Sequence, residues 1–462
     1  MTYDLAVIGS GSAAFAAAIR ARELGREVLL IERGTTGGTC VNVGCIPSKA
    51  LIAAANSRFQ SRRNAFSGVE TTAGDTNLGE LLAGVSDIVG ALQASKYRDV
   101  AKRHGFEIRA GSASFASADT LLVDGDPIEA RAYLIATGAS PMIPTIDGLR
   151  DAGYVTSTTL LELDELPRSL VVLGGGYIGL EYAQAFSRLG SEVTLIARSG
   201  IVRNEEPPIA SALEGYLSDE GITILQSANV TRVERRADTR RVHVRLDDGE
   251  IYVDADVLLV ATGRTANIEG LELDTASVAI TDRGTVLVDQ QLRTTNPRVW
   301  AAGDCCDVPQ FVYVAAQMGA VAAANALDDA AQTIDWSALP RITFTDPTLA
   351  AVGLTEAQAH AQGIDCRCHT IDITYASRPW VQRDLRGAIR IVATRDTEQV
   401  IGVSVLAPHG EDVILAAQLA VRHKLTLSDL QNAWTPYLSL GEAVKIAAVS
   451  FDRDPSLLSC CA

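Results

Sequence analysis

The most regular feature of the chain is an apolar run that breaks into glycine and resumes as a helix, and it occurs twice. Leu5-Ala6-Val7-Ile8 enters Gly9-Ser10-Gly11-Ser12-Ala13-Ala14, after which alanines lead a helix. Leu170-Val171-Val172-Leu173 enters Gly174-Gly175-Gly176-Tyr177-Ile178-Gly179 with the same spacing and opens a helix running through Glu181 toward Leu189. A second apolar run follows each helix, Val28-Leu29-Leu30-Ile31-Glu32 in the first copy and Val193-Thr194-Leu195-Ile196 in the second. Continuous apolar runs bounded by glycine turns are buried strands, and the order strand, helix, strand predicts two βαβ dinucleotide folds.

Each copy has a later closing strand. Tyr133-Leu134-Ile135-Ala136 with its Thr137-Gly138 turn serves the first, and Val257-Leu258-Leu259-Val260-Ala261 with Thr262-Gly263-Arg264 the second. Pro141-Met142-Ile143-Pro144 reads as a crossover between the units, because two prolines flank a break in the pattern. Beyond about residue 330, the strands at 387–392 and 400–405, followed by helical segments, predict a separate α+β domain. The expected fold is α/β, with two Rossmann-like dinucleotide-binding domains and a C-terminal α+β domain. The expected division is 1–144 for the first domain, 145–265 for the second, 266–332 for a return to the first, and 333–462 for the last.

Composition narrows the function classes. At 462 residues the chain exceeds one hydrophobic core, and its net charge of −16 argues against nonspecific binding to nucleic acid or anionic membranes. The N-terminus enters a strand without a basic region or apolar leader, and no apolar run is long and clean enough to span a bilayer, which predicts a cytoplasmic protein. Eight cysteines are too few for a secreted disulfide scaffold of this length and point to redox or metal chemistry.

Glycine at such turns lets the backbone approach a pyrophosphate, which rests on the helix N-terminus. In the first copy Glu32 ends the second strand, where a carboxylate can accept hydrogen bonds from a ribose diol; the alternative is a surface glutamate. In the second copy Ala197 stands at that place, followed by Arg198 and Arg203. Loss of the acid and gain of guanidinium groups favour a 2′-phosphate, hence NADPH over NADH, unless both arginines are solvated surface charges. Two sites in one chain suggest a flavin in the first and a nicotinamide in the second. The run Thr295-Asn296-Pro297-Arg298-Val299-Trp300-Ala301-Ala302-Gly303-Asp304 resembles the second FAD motif of two-dinucleotide flavoproteins, whose terminal aspartate contacts the ribityl and phosphate region. The candidate flavin contacts are Gly9, Gly11, Ala14, Glu32, Gly34, Thr39, Lys49, Ala113, Gly138, Asp304 and Val312. Those for the nicotinamide cofactor are Gly174, Gly176, Gly179, Arg198 and Arg203.

Cys40 and Cys45 lie in Gly38-Thr39-Cys40-Val41-Asn42-Val43-Gly44-Cys45-Ile46-Pro47-Ser48-Lys49, at what reads as the start of one helix. A helix N-terminus and Lys49 one turn along favour thiolate there, and the pair could close a small disulfide against the flavin; two structural thiols are the alternative. With this run in place the whole chain resembles the flavin disulfide reductases, the class I pyridine nucleotide-disulfide oxidoreductases that include glutathione reductase and dihydrolipoamide dehydrogenase. The resemblance implies that Cys40 is the interchange thiol and Cys45 the flavin-side thiol. It also implies an ion pair between Lys49 and Glu181, a gating role for Tyr177 over the nicotinamide pocket, and a symmetric homodimer built on the C-terminal domain.

Two departures from the general family pattern bear on substrate. Thiol-disulfide exchange in that family uses a His-Pro-Thr motif followed by Glu, whereas here the run is Tyr437-Leu438-Ser439-Leu440-Gly441-Glu442, with a phenol of pKa about 10 in place of an imidazole. The chain also carries adjacent Cys460 and Cys461 near its end. Neighbouring cysteines on a tail cannot easily close an unstrained disulfide, yet they suit a soft metal ion. Both features, with the run at 301–316, resemble the mercuric reductase branch. That resemblance implies reduction of thiol-bound Hg(II) to volatile Hg(0) by NADPH through FAD. Cys460 and Cys461 of one subunit would then deliver the ion to Cys40 and Cys45 of the other, and Tyr437 and Glu442 would come from the same subunit as the tail. Cys305 falls in the same run. Cys366-Arg367-Cys368-His369 has too short a spacing for a zinc knuckle and reads as strand residues. The alternatives are a reductase of low-molecular-weight disulfides and a non-catalytic protein that holds soft ions.

Overall fold

A computed structural model describes residues 3–459. The first glycine turn leads out of a five-stranded parallel sheet in the order Val299–Ala301, Ala130–Ile135, Tyr3–Ile8, Val28–Glu32, Glu107–Ala110. The edge strand Val299–Ala301 comes from late in the chain, so the segment after the second unit does return to the first sheet. The second glycine turn leads out of another parallel sheet, ordered Thr223–Gln226, Glu192–Ala197, Ser169–Leu173, Val257–Val260, Val155–Thr156. Each unit also carries a three-stranded antiparallel meander, Ala113–Ser117 to Asp126–Ile128 in the first and Asn229–Arg236 to Gly249–Ala255 in the second. The proline-flanked crossover is a two-stranded ribbon in which Ala139–Pro141 pairs antiparallel with Arg264–Ala266.

The turns are built by the same stereochemistry. Gly9 (φ +118°) and Gly174 (φ +124°) occupy a region closed to other residues, and a Cβ would lie 2.4 Å from the Ala136 carbonyl oxygen in the first and 2.2 Å from that of Ala261 in the second. Behind the first turn, the helix Ser12–Glu23 crosses Val312–Asp328 so closely that a Cβ on Gly319 would lie 2.0 Å from the Ala13 carbonyl oxygen.

The C-terminal region forms an antiparallel sheet ordered Pro340–Thr343, Thr348–Gly353, Val400–Ala407, Ala388–Thr394, Cys366–Asp372. Ile414–Arg422 and Leu440–Val449 pack on it around Ile389, Ile391, Val403 and Val405. A buried ion cluster keys this sheet to the second unit. Arg188 pairs with Glu220 at 2.5 Å and Asp346 at 2.8 Å, and Arg386 joins the same acids. Buried pairs contribute little net stability over apolar packing, but breaking one strands a charge, so the cluster fixes position more than it adds free energy.

The cysteine run departs from the single helix expected. Gly38–Asn42 and Cys45–Arg62 are two helices separated at Val43-Gly44, where Gly44 has φ −120° and ψ −114°. A Cβ there would sit 2.8 Å from the Thr39 carbonyl oxygen, so the chain can fold back only because this residue is glycine. Among the described residues, Gly38–Arg62 is the one helical segment long and apolar enough to cross a membrane by length and composition. It is interrupted at this break, and its buried residues Leu51 and Ala55 join the core of the second unit.

Candidate active site

The first glycine turn holds its acid rigidly. Glu32 ends its strand with one carboxylate oxygen accepting from Ser10 Oγ at 2.5 Å and the other from the Gly34 amide at 2.6 Å. Ser10 Oγ in turn accepts from the Gly37 amide at 3.1 Å. The helix carrying Thr39 and Cys40 lies directly over the turn, because a Cβ on Gly38 would be 2.6 Å from Gly11 Cα. Across the sheet end, Asp304 is held above the ordinary carboxylate range by burial, which the Arg264 guanidinium 3.6 Å away only partly offsets. Thr137 Oγ1 and Arg264 Nε are buried without hydrogen-bond partners. Gly138 follows Thr137, Ala113 opens its meander strand, Val312 is the first residue of its helix, and Ala14 is buried in the first turn of Ser12–Glu23. A glycine cradle, a fixed ribose acceptor and three polar groups with unfilled capacity fit a bound FAD.

The second turn is open. A Cβ on Gly176 would meet nothing within 4 Å, while Gly179 lies so close to Gly174 that its Cβ would be 2.0 Å from that residue's carbonyl oxygen. Ala197 is buried at the strand end, and Arg198 and Arg203 are exposed and make no ion pair with the described residues. Free guanidinium groups where the first unit has a tethered carboxylate fit a phosphorylated ribose.

Cys40 and Cys45 are free thiols on the two successive helices Gly38–Asn42 and Cys45–Arg62. The Cys45 thiol is lowered to about 7 by the hydrogen bond from Cys40 and by Lys49, against the opposing effect of burial. Cys40 goes up for the same reason, since it is the donor, and burial adds to this. Lys49 Nζ lies 2.7 Å from Glu181 Oε2, and the other Glu181 oxygen accepts from the Phe344 amide at 2.9 Å. Lys49 also sits over the Phe344 ring, 4.7 Å from its centroid. Glu181 is buried, so without both partners its charge would be costly.

Tyr177 opens the helix Tyr177–Leu189, and its ring lies against Phe311, which stacks on Tyr313 at 5.3 Å. Its hydroxyl donates to Glu205 Oε1 at 3.3 Å, and burial followed by the Glu205 charge pushes it up to about 12. Glu205 is itself held bidentate by Arg341, with distances of 2.8 and 2.9 Å. Sequence reasoning missed Glu205, Phe311, Arg341 and Phe344. Only Phe311 had a signal, since it stands in the run that carried the branch resemblance; the others come from remote segments with no local motif.

Tyr437 and Glu442 stand apart from the thiols within one chain. Tyr437 is half exposed, near the fully exposed Trp434. Glu442 lies in the first turn of the helix Leu440–Val449 with Oε2 buried and unpartnered among the described residues, and burial raises its carboxyl. Neither makes a hydrogen bond to Cys40 or Cys45 among the described residues. Cys460 and Cys461 lie outside those residues.

The family model for pyridine nucleotide-disulphide oxidoreductases matches residues 3–319, and that for their dimerisation domain matches residues 339–448. The chain belongs to this family. A mercuric reductase from Streptomyces lividans is 47% identical over 466 residues, covering all of this chain and 98% of that protein. One from Staphylococcus aureus is 41% identical and is covered over 84% of its length. Among solved structures, the HOCl-induced flavoprotein disulfide reductase RclA from Escherichia coli, as its Cu(II) complex, aligns at a TM-score of 0.88 with 28% identity, over 98% of this chain and all of that one. LpdA from Mycobacterium tuberculosis aligns at 0.87 with 28% identity, over 97% of this chain and all of that one. As a pyridine nucleotide-disulphide oxidoreductase the chain is an FAD- and NADPH-dependent enzyme with a dimerisation domain.

Proposed function

We propose that the enzyme reduces thiol-bound Hg(II) to Hg(0) with NADPH. The full-length kinship to mercuric reductases, at 47% identity, carries the reading. When bound, FAD supplies a carrier that takes a hydride equivalent from NADPH and passes two electrons onward. The chain's own residues do the rest. Arg198 and Arg203 bind the 2′-phosphate, and Tyr177 covers the nicotinamide pocket, its hydroxyl anchored on Glu205. Lys49, fixed by Glu181, holds Cys45 as a thiolate near neutral pH, so that Cys40 and Cys45 present two sulfur ligands. Thiolates suit Hg(II), and its two-electron reduction needs no proton donated to the metal, which is why a tyrosine at 437 in place of an imidazole is tolerable.

The finer reading places this site between the subunits of a homodimer. Cys460 and Cys461 of one protomer capture the ion and pass it by ligand exchange to Cys40 and Cys45 of its partner, with Tyr437 and Glu442 accompanying the tail. The exposed apolar side chains around Trp434 and Leu415 support a covered C-terminal face. The proposed division is 1–144 and 266–332 for FAD, 145–265 for NADPH and 333–462 for dimerisation, in a cytoplasmic protein. NADPH oxidation by the FAD-loaded enzyme with Hg(II) and excess thiol, with Hg(0) trapped from the headspace, tests this. One Hg(0) per NADPH is expected; turnover only on an added disulfide would replace it with the disulfide-reductase reading, and bound mercury without NADPH use with sequestration.

A further inference from the structure

Two thiols of the C-terminal sheet take no part in the proposed reaction. Cys366 and Cys368 are the first and third residues of the strand Cys366–Asp372, which lies at the sheet edge and, among the described residues, pairs only with Ala388–Thr394. Residues two apart on a strand share a face. Both thiols face a small apolar cluster around Ala359, Val392 and Ile401. His369 lies on the opposite face, with Nδ1 2.7 Å from Ser450 Oγ, so it is no third ligand. No group of three or more His, Cys, Asp or Glu suited to a metal ion occurs among the described residues, which leaves two-coordinate chemistry.

The spacing discriminates between the two things a thiol pair can do. Two steps along a strand separate the Cβ atoms by about 6.6 Å, whereas a disulfide needs about 3.8 Å. An intact strand therefore keeps these thiols from oxidising to each other. A linear ion with metal–sulfur bonds of about 2.3 Å, the zinc–thiolate value, spans about 4.6 Å between sulfurs, a gap that two side chains leaning together from that base can match. Cys366 is buried and Cys368 half-buried, so an incoming complex can reach one sulfur and then engage the other. The Arg390 guanidinium, held by Glu206 and Glu356, lies on the neighbouring strand. Two sulfur ligands in an apolar setting suit soft cations and offer nothing to hard ones.

We propose that Cys366 and Cys368 form a second binding site, separate from Cys40 and Cys45, for a two-coordinate thiophilic cation such as Hg(II). Loading is ligand exchange. Two sulfur–metal bonds form, the ion's two bonds to its carrier thiolates break, the protons of Cys366 and Cys368 pass to the carriers, and no electrons move. The site requires no reduction, so it stands or falls independently of the proposed activity.

The test uses the FAD-loaded full chain carrying Cys40→Ala, Cys45→Ala, Cys460→Ala and Cys461→Ala, offered Hg(II) as its bis-glutathione complex and weighed by native mass spectrometry. A single mercury ion per protomer is expected, lost when either Cys366→Ala or Cys368→Ala is added, with flavin content reporting that each variant is folded. Protection of Cys368 from alkylation by Hg(II), in the variant that retains both thiols, gives the same readout without altering the strand. The proposal is overturned if that parent variant holds no mercury. It is equally overturned if the ion survives both additions and is lost instead with Cys306→Ala, whose sulfur lies 4.0 Å from that of Cys305 in the buried core.

Discussion

The two glycine turns have nearly the same backbone and opposite surroundings. Around the first, the helix Gly38–Asn42 presses Gly38 onto Gly11, and Glu32 is tied to Ser10 and Gly34. Around the second, Gly176 faces open space and the strand end offers two untethered arginines. A cofactor in the first turn would be enclosed by the helix lying over it and so retained, whereas one at the second would be approached from solvent past exposed arginines and could exchange. The strand–turn–helix backbone specifies a dinucleotide; what packs over it specifies whether that dinucleotide is resident or consumed.

The hardest test of this contrast is to damage each turn separately. Gly9→Ala and Gly174→Ala each force an unfavourable φ and a sub-3 Å overlap, and each is expected to cost about 3 kcal/mol or more. Gly9→Ala should release FAD on gel filtration, whereas Gly174→Ala should keep the flavin and lose its reduction by NADPH. Equal loss of flavin from both would mean that the turns do not act separately. Next in size, Arg198→Ala with Arg203→Ala should raise KM for NADPH by about tenfold to a hundredfold and leave KM for NADH nearly unchanged, as expected for charge-assisted bonds of about 1.5–3 kcal/mol in total. An equal rise for both cofactors would assign the arginines to something other than the 2′-phosphate.

Within the first unit, Lys49→Met should move the midpoint for alkylation of reduced Cys45 from about 7 toward the ordinary thiol value of about 8.5. Because the fold lowers this group, its thiolate stabilises the native state fully above the unfolded thiol value. That contribution is lost as pH falls through about 7. The Lys49 variant should therefore lose stability relative to the parent at pH 9 and lose less at pH 6, as read by denaturant midpoints. Tyr177→Phe is the smallest change: it removes one 3.3 Å hydrogen bond, worth about 1 kcal/mol, and should slow flavin reduction by NADPH less than tenfold.

The three central strands of each parallel sheet and their turns were legible in the sequence because glycine spacing and unbroken apolar runs are local signals, while the edge strands Glu107–Ala110, Thr223–Gln226 and Val155–Thr156 were not read. The pairing of Lys49 with Glu181, 132 positions apart, was reached only through family resemblance, and the structure places the two at 2.7 Å. The support around that pair was not legible. Phe344 contributes a backbone amide, which any residue could donate, and Glu205 meets Arg341 across 136 positions with nothing in either segment to announce it. The break at Val43-Gly44 was read through as helix, and only the close approach to the Thr39 carbonyl oxygen reveals the fold-back.

The carboxylate of Glu181 carries a constraint on how such an enzyme can be rebuilt. It belongs to the helix Tyr177–Leu189 of the second unit, pairs with a lysine of the helix Cys45–Arg62, and accepts from a loop of the C-terminal sheet. The three units are therefore not interchangeable cassettes. A nicotinamide module transplanted from another oxidoreductase, however sound its glycine turn, would leave a lysine beside the redox thiols without its counter-charge and a loop amide without an acceptor unless it brought an acid to this one position.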